Sequence, residues 1–233
     1  MFEDKLKQAF KEYGLEVNLE REKKFGAFYR LIIEWNEKMN LTAITEEDEF
    51  VRKHILDSLS GLDYIGTGRI LDLGSGAGFP GIPLKIYNEA YNITFLDALK
   101  KRLHFLDEVA NNLSLQNVTT IHGRAEDLAK TDLRESFDTV VSRAVASLPV
   151  LSEYALPFLK VGGTFIAWKG SKAKDEAKES EKALKVLGGE LEEIKEVAIP
   201  KLTEERALII IRKSKTTPKE YPRKPGTPQK KPL

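Results

Sequence analysis

The residues best able to do chemistry form one short run, Leu71-Asp72-Leu73-Gly74-Ser75-Gly76-Ala77-Gly78-Phe79-Pro80-Gly81, in which an apolar segment with an acid leads into four glycines. A turn that lays its backbone against a ligand must lack side chains there, and glycine also reaches the positive φ that such turns use. A tight strand-to-helix turn with no ligand would be weakened by so many glycines without any return.

Two ligands compete for this pattern. Gly76 to Gly81 fits the dinucleotide spacing G-x-G-x-x-G, whereas Asp72 to Gly78 reads Asp-x-Gly-x-Gly-x-Gly, with the acid just before the first glycine, as in enzymes that bind S-adenosylmethionine. For a turn that starts at Gly74, bulky Phe79 stands where a dinucleotide fold needs its third glycine, which argues against a pyrophosphate there. Asp97 ends the second apolar run and can accept both ribose hydroxyls of an adenosine; the alternative is a cap for the helix that follows. In Gly123-Arg124-Ala125-Glu126-Asp127, Glu126 or the neighbouring amides could hold an adenine, while Asp127 reads as a solvated loop charge. Arg143, between Ser142 and small Ala144 and Ala146, reads as a site residue at an open mouth or else as a packed ion pair. Lys169 has a weaker claim. His54 and Asp57 lie three apart on one helical face and could turn toward the pocket, although a satisfied core histidine fits equally well.

Elements must deliver these residues to one edge. Residues 1 to 61 read as helices: Phe25, Phe28, Tyr29, Ile32, Ile33, Trp35 and Met39 recur at three-to-four spacing, with Asn40 as a possible cap, and a second helix is predicted over Glu47 to Leu62. From Gly68 onward short β-branched runs alternate with helical stretches, the mark of a parallel sheet covered on both faces. The pattern predicts strands at Arg69 to Leu73, Ile93 to Asp97, Val118 to His122, Asp138 to Ser142 and Gly163 to Trp168. Helices are predicted at Pro80 to Asn88, Lys100 to Leu113, Leu148 to Leu159 and Lys174 to Leu187, then a hairpin of Leu191 to Ile199 with Ala207 to Arg212. After Lys213, the prolines at 218, 222, 225 and 228 predict an irregular tail. The division is thus a helical extension over 1–61, a catalytic domain over 62–212 and a basic, Pro-rich tail over 213–233.

Bulk numbers bound the rest. A chain of 233 residues, 41% hydrophobic, can bury one sizeable core. No apolar run approaches the roughly 20 residues that span a bilayer, and the charged start at Met1 to Lys11 is unlike a signal, so a cytoplasmic location is expected. Zero cysteines exclude disulfides, thiolate zinc sites and a thiolate nucleophile; with three scattered histidines, no metal is expected. The balance of 37 Lys and Arg against 36 Asp and Glu hides an asymmetry. Residues 213–233 carry seven bases and one acid, so an acidic body bears a basic tail suited to RNA phosphates, or to keeping the chain soluble. On this reading, removal of 214–233 weakens RNA affinity and leaves cofactor affinity nearly intact.

Together, Asn40-Leu41-Thr42, Lys53-His54-Ile55-Leu56-Asp57-Ser58-Leu59, the glycine turn with Phe79-Pro80-Gly81-Ile82-Pro83, Ser142-Arg143-Ala144 and the ending Tyr221-Pro222-Arg223-Lys224-Pro225-Gly226-Thr227-Pro228 resemble the glucose-inhibited division protein B family over most of the chain. The resemblance implies a class I S-adenosylmethionine-dependent methyltransferase: an α/β Rossmann-like sheet, mostly parallel, with an antiparallel C-terminal hairpin and N-terminal helices. It implies transfer of a methyl group to guanine N7 in a 16S rRNA loop near the decoding centre, with 16S rRNA or the small ribosomal subunit as partner. Carried over, it implies cofactor contacts from Gly74, Phe79, Ala125, Glu126 and Arg143, with Asp97 at the ribose and Gly76 and Gly78 in the turn. Ala98 departs from the serine found in many members, so a backbone contact alone is implied there. Candidates for the RNA side are Asn40, His54, Lys169, Arg223 and Lys224.

Guanine N7 presents a lone pair, so no general base is required and none is assigned. A cation beside the base would oppose the charge it acquires, which puts Arg143 on a carboxylate or phosphate instead. C5 methylation of pyrimidines is disfavoured by the missing cysteine, and amino-group methylation by the absence of an Asp/Asn-Pro-Pro-aromatic motif. An NAD-dependent oxidoreductase, a methyltransferase for another RNA site and a non-enzymatic RNA chaperone are the competing readings. No dimerisation signal is evident, so a monomer is expected.

Overall fold

Val, Ile and Phe recur through the runs Arg69–Leu73, Asn92–Asp97 and Phe137–Arg143 because those strands are buried on both faces. A computed structural model describes residues 1–233. Seven strands form one sheet: β1 (Arg69–Leu73), β2 (Asn92–Asp97), β3 (Val118–His122), β4 (Phe137–Arg143), β5 (Leu159–Gly170), β6 (Gly189–Val197) and β7 (Arg206–Lys213). Their order is β3-β2-β1-β4-β5-β7-β6; the first five run parallel, and β7 joins β5 and β6 antiparallel. Alternate residues face opposite layers. Ile70, Phe95, Val141 and Ile166 point into one core, shared with the N-terminal helices and the helices Gly81–Tyr87 and Lys100–Asn112. Leu71, Leu96, Val140 and Phe165 point into the other, under Leu148–Ala155 and Glu181–Leu187.

The strands stand close to where the sequence predicts: β5 starts earlier, where Leu159 pairs with Phe137 of β4, and runs on to Gly170 against β7, while the strand predicted over Leu191 to Ile199 is displaced by two residues to Gly189–Val197. Helical regions differ more. The first helix, Phe2–Tyr13, is separate; the second, Leu19–Asn36, begins with the Asn18 side chain accepting the Arg21 N–H at 2.8 Å. It stops at Asn36, with Glu37 at its C-cap, so Asn40 does not cap it; the Asn36 side-chain oxygen instead fixes the following loop by accepting the Leu41 and Thr42 N–H groups. The predicted helix over 47–62 is broken into α-helix Glu47–Phe50, a π-helical turn Val51–Leu56, α-helix Asp57–Leu59 and a 3-10 turn Leu62–Tyr64. The predicted helix over 174–187 divides at Ser180.

The tail is not a loose end. It is irregular apart from one helical turn, Thr227–Lys230, where Pro228 is tolerated because a first-turn N–H has no helical acceptor. Lys213 and Thr217 are buried, and Arg134 donates to the carbonyls of Thr217, Pro218 and Tyr221 at 2.7, 3.1 and 2.9 Å.

A candidate cofactor crevice beside a cationic cavity

Parallel strands bring the ends of β1, β2, β3 and β4 to one edge, and connections leave in opposite directions on either side of β1 and β4, where open α/β sheets hold their ligands. A crevice of about 230 Å3 lies there, lined by Gly74, Asp97, Ala98, Ala125 and Glu126 among the expected residues, and by Leu73, Leu96, Gly123, Arg124, Val145, Ala146, Tyr154 and Gln229. Gly74 has φ +71, and a Cβ there would lie 2.5 Å from Val145 Cγ2, so the position must be glycine to leave the floor open. Asp97 is 3% exposed and oriented by two main-chain donors, Gly76 N–H to Oδ2 at 2.9 Å and Leu99 N–H to Oδ1 at 2.8 Å. Arg102 Nη1 also donates to Oδ2 at 3.4 Å, so Oδ1 is the oxygen that keeps a further lone pair for a ligand hydroxyl.

Four expected cofactor residues do not line this crevice. The Gly76 amide orients Asp97, and Gly78 packs against Ile82 and Leu106. The Phe79 ring stacks on His54 at 4.3 Å and packs against Phe28 and Phe50, facing the helical core. The fourth, Arg143, opens onto a neighbouring cavity of about 460 Å3, together with Lys53, His54, Asp57, Trp168, Lys169 and Arg206. Beneath the turn, burial lifts the Asp72 carboxyl to about 7, with Asp97 adding to the shift while the Gly81 N–H and Arg143 oppose it.

The Arg143 guanidinium donates to Asp57 Oδ2 at 2.7 Å, the Lys53 carbonyl at 3.2 Å and His54 Nδ1 at 3.1 Å, and lies 4.8 Å over the Phe79 ring. A guanidinium only donates, so His54 Nδ1 carries no proton and Nε2–H donates to Thr42 Oγ1 at 2.8 Å. Burial and the Arg143 charge push His54 down to about 3, so the ring is neutral at physiological pH. Arg206 reaches Asp57 Oδ1 at 3.3 Å. Four cations against Asp57 and Glu176 make this cavity net positive.

The expected RNA contacts scatter. Asn40 and Lys224 lie outside both cavities. Lys169 is tied to the Ala146 carbonyl and Glu176, at 2.6 and 2.7 Å. Arg223 cannot serve as a free phosphate ligand: its Nε and Nη2 grip Glu153 at 2.6–3.1 Å, because a fully buried carboxylate requires a cation. Sequence reasoning missed Gln229 and Tyr154, which carry no spacing signal, and Arg206, which pairs across the fold with Asp57. A basic residue beginning a β-branched run beside the expected hairpin turn was the only available hint for Arg206.

A family model described as rRNA small subunit methyltransferase G matches residues 21–209. The "Ribosomal RNA small subunit methyltransferase G" proteins of Clostridium novyi and Lactobacillus johnsonii are each 48% identical to this chain. The matches cover 100% and 95% of this chain, and 98% and 95% of theirs. Precorrin-6y C5,15-methyltransferase from Geobacter metallireducens superposes with a TM-score of 0.52 at 21% identity, over 73% of this chain and 90% of its own, which supports the class I methyltransferase fold alone. On the span of the family match and the near-complete coverage of these relatives, the chain belongs to the rRNA small subunit methyltransferase G family.

Proposed function

We propose that the chain transfers a methyl group from S-adenosylmethionine to N7 of a guanine in 16S rRNA, acting in the cytoplasm on the rRNA or the small subunit. The observation that carries this reading is the pairing of two cavities across one turn. Val145 and Ala146 line the acidic crevice, and Arg143 and Ala144 line the cationic cavity beside it. Ala144 holds φ +58, a conformation uncommon outside glycine, as the chain turns between them.

The crevice fits an adenosyl sulfonium by its chemistry: a floor that a Cβ at Gly74 would fill, and the carboxylates of Asp97 and Glu126 for a cationic ligand. When bound, that group supplies an electrophilic methyl on sulfur. Asp97 holds the ribose hydroxyls, and Ala125 and Glu126 hold the base. Positioning of this kind is worth on the order of 7–11 kcal/mol, and the chain needs no general base because N7 offers a lone pair. The net positive field of the cationic cavity draws in the RNA backbone, while Lys53 is itself held by Glu49 and Glu204 and Arg206 by Asp57. Arg143 orders the cavity wall through His54 and Asp57.

Two measurements test the proposal. Calorimetry with S-adenosylhomocysteine should give a binding isotherm, and a signal with NAD alone would defeat it. Mass spectrometry of undermethylated small subunits incubated with the protein and S-adenosylmethionine should show one new N7-methylguanosine in 16S rRNA; an unchanged pattern overturns the target.

A further inference from the structure

The geometry points to the C-terminal segment as a wall of the cofactor crevice, with Gln229 as a cofactor-binding residue; this rests on the crevice being the adenosyl site. The segment is fixed before it reaches the crevice. Lys213, fully buried, donates to the Leu156 carbonyl and to Thr217 Oγ1, and the Thr217 N–H donates to Glu135 at 3.0 Å. Four main-chain carbonyls, three of them in this segment, converge on the Arg134 guanidinium. Arg223 then locks to Glu153 by its main-chain N–H as well as its side chain.

From that anchor the chain reaches Gly226, whose N–H donates to Glu126 Oε1 at 3.0 Å. The bond orients a carboxylate that is only 4% exposed and leaves its other oxygen for a ligand. Gly226, at φ +79, reverses the chain into the turn Thr227–Lys230, and Pro228 is buried while Gln229 lines the crevice. An arm serving only to meet RNA phosphates has no need to tie Arg223 to Glu153, to bury Thr217 and Pro228, or to end an amide bond on a pocket carboxylate. Gln229 offers a neutral donor and acceptor, which suits a polar edge of an adenosyl ligand beside Glu126.

Two variants test the inference by calorimetry with S-adenosylhomocysteine. One chain ends at Pro225, which keeps every anchor through Arg223 and removes the Gly226 N–H and Gln229; the other is full-length Gln229→Ala. The shortened chain should bind about tenfold more weakly, and Gln229→Ala several-fold more weakly with its ligand-free melting temperature unchanged. Wild-type affinity in Gln229→Ala overturns its assignment. Wild-type affinity in the shortened chain, with only RNA binding reduced, overturns the wall. If the shortened chain does not fold, Gln229→Ala decides, together with hydrogen exchange of the Gly226 amide in the full chain, which should slow on binding and whose indifference counts against the wall. Full-length protein that fails to bind S-adenosylhomocysteine overturns the adenosyl reading of the crevice itself.

Discussion

Arg143 shows how one side chain can be legible in type and misplaced in role. Its position at the end of a strand marks it as a site residue, but its partners, Asp57, His54 and the Lys53 carbonyl, come from a helical segment far earlier in the chain. Removing one member of a buried ion pair leaves the other unpaired, so Arg143→Ala should lose roughly 3 kcal/mol of stability in chemical denaturation. Lysine cannot reproduce a fork with three acceptors, and Arg143→Lys should recover less than half of that loss. A full recovery would reduce the residue to a point charge. Asp72 makes a second, pH-dependent prediction. Its folded pKa of about 7 lies above the ordinary 3.8, so its contribution is full below about pH 4 and lost as pH rises through 7. Asp72→Asn removes that loss, and its stability relative to wild type should climb between pH 4 and 8 by roughly 2–4 kcal/mol. A difference that stays flat with pH would mean the carboxyl ionises normally. His54 has the opposite sign: depressed to about 3, it stabilises above about pH 6.5 and its contribution is lost as pH falls toward 3.

At the scale of elements, the central strands were legible because burial on both faces leaves a signal no surface segment shares, and Arg69–Leu73 matches residue for residue; Val118–His122, a half-exposed edge strand, was legible from its β-branched run instead. The segment after Glu47 was not. Its apolar stripe fits a continuous helix, and Phe50, Val51, Ile55 and Leu59 are indeed buried, but the π-helical turn at Val51–Leu56 answers to tertiary partners. There Arg52 meets Asp48, Glu12 and the Pro200 carbonyl, while His54 and Asp57 meet Arg143. No local periodicity encodes such pairings. In the candidate site, Gly74, Asp97 and Glu126 were readable from the strand-turn pattern, whereas Gln229 arrives from the far end of the chain. The glycine turn allows a test of its own. An alanine at 74 meets both a left-handed backbone, which costs about 1–2 kcal/mol, and Val145. Gly74→Ala should therefore lower the melting temperature slightly and S-adenosylhomocysteine affinity severely. Unchanged affinity would show that the crevice floor is not where the ligand lies.

Across the whole molecule, charge is what changes most between sequence and structure. Seven bases in residues 213–233 suggest a flexible cationic arm, but Lys213 is buried and Arg223 is consumed by Glu153. Lys215, Lys219, Lys224, Lys230 and Lys231 remain exposed, and the last three of these lie close to Gln229 in the chain. Two functions thus separate by side chain within one segment: anchors and Gln229 serve the crevice, and outward lysines are available to phosphates. Replacing Lys224, Lys230 and Lys231 together by glutamine should weaken RNA binding. The slope of log affinity against log salt should flatten by about 0.7–0.9 for each phosphate left without its lysine, while S-adenosylhomocysteine affinity holds. Arg223→Gln should do the reverse, because it strands a buried carboxylate and frees the wall, weakening cofactor binding with little change in salt slope. The two variants are read in the same pair of titrations, so if both move the same quantity, the division of labour along the segment is wrong.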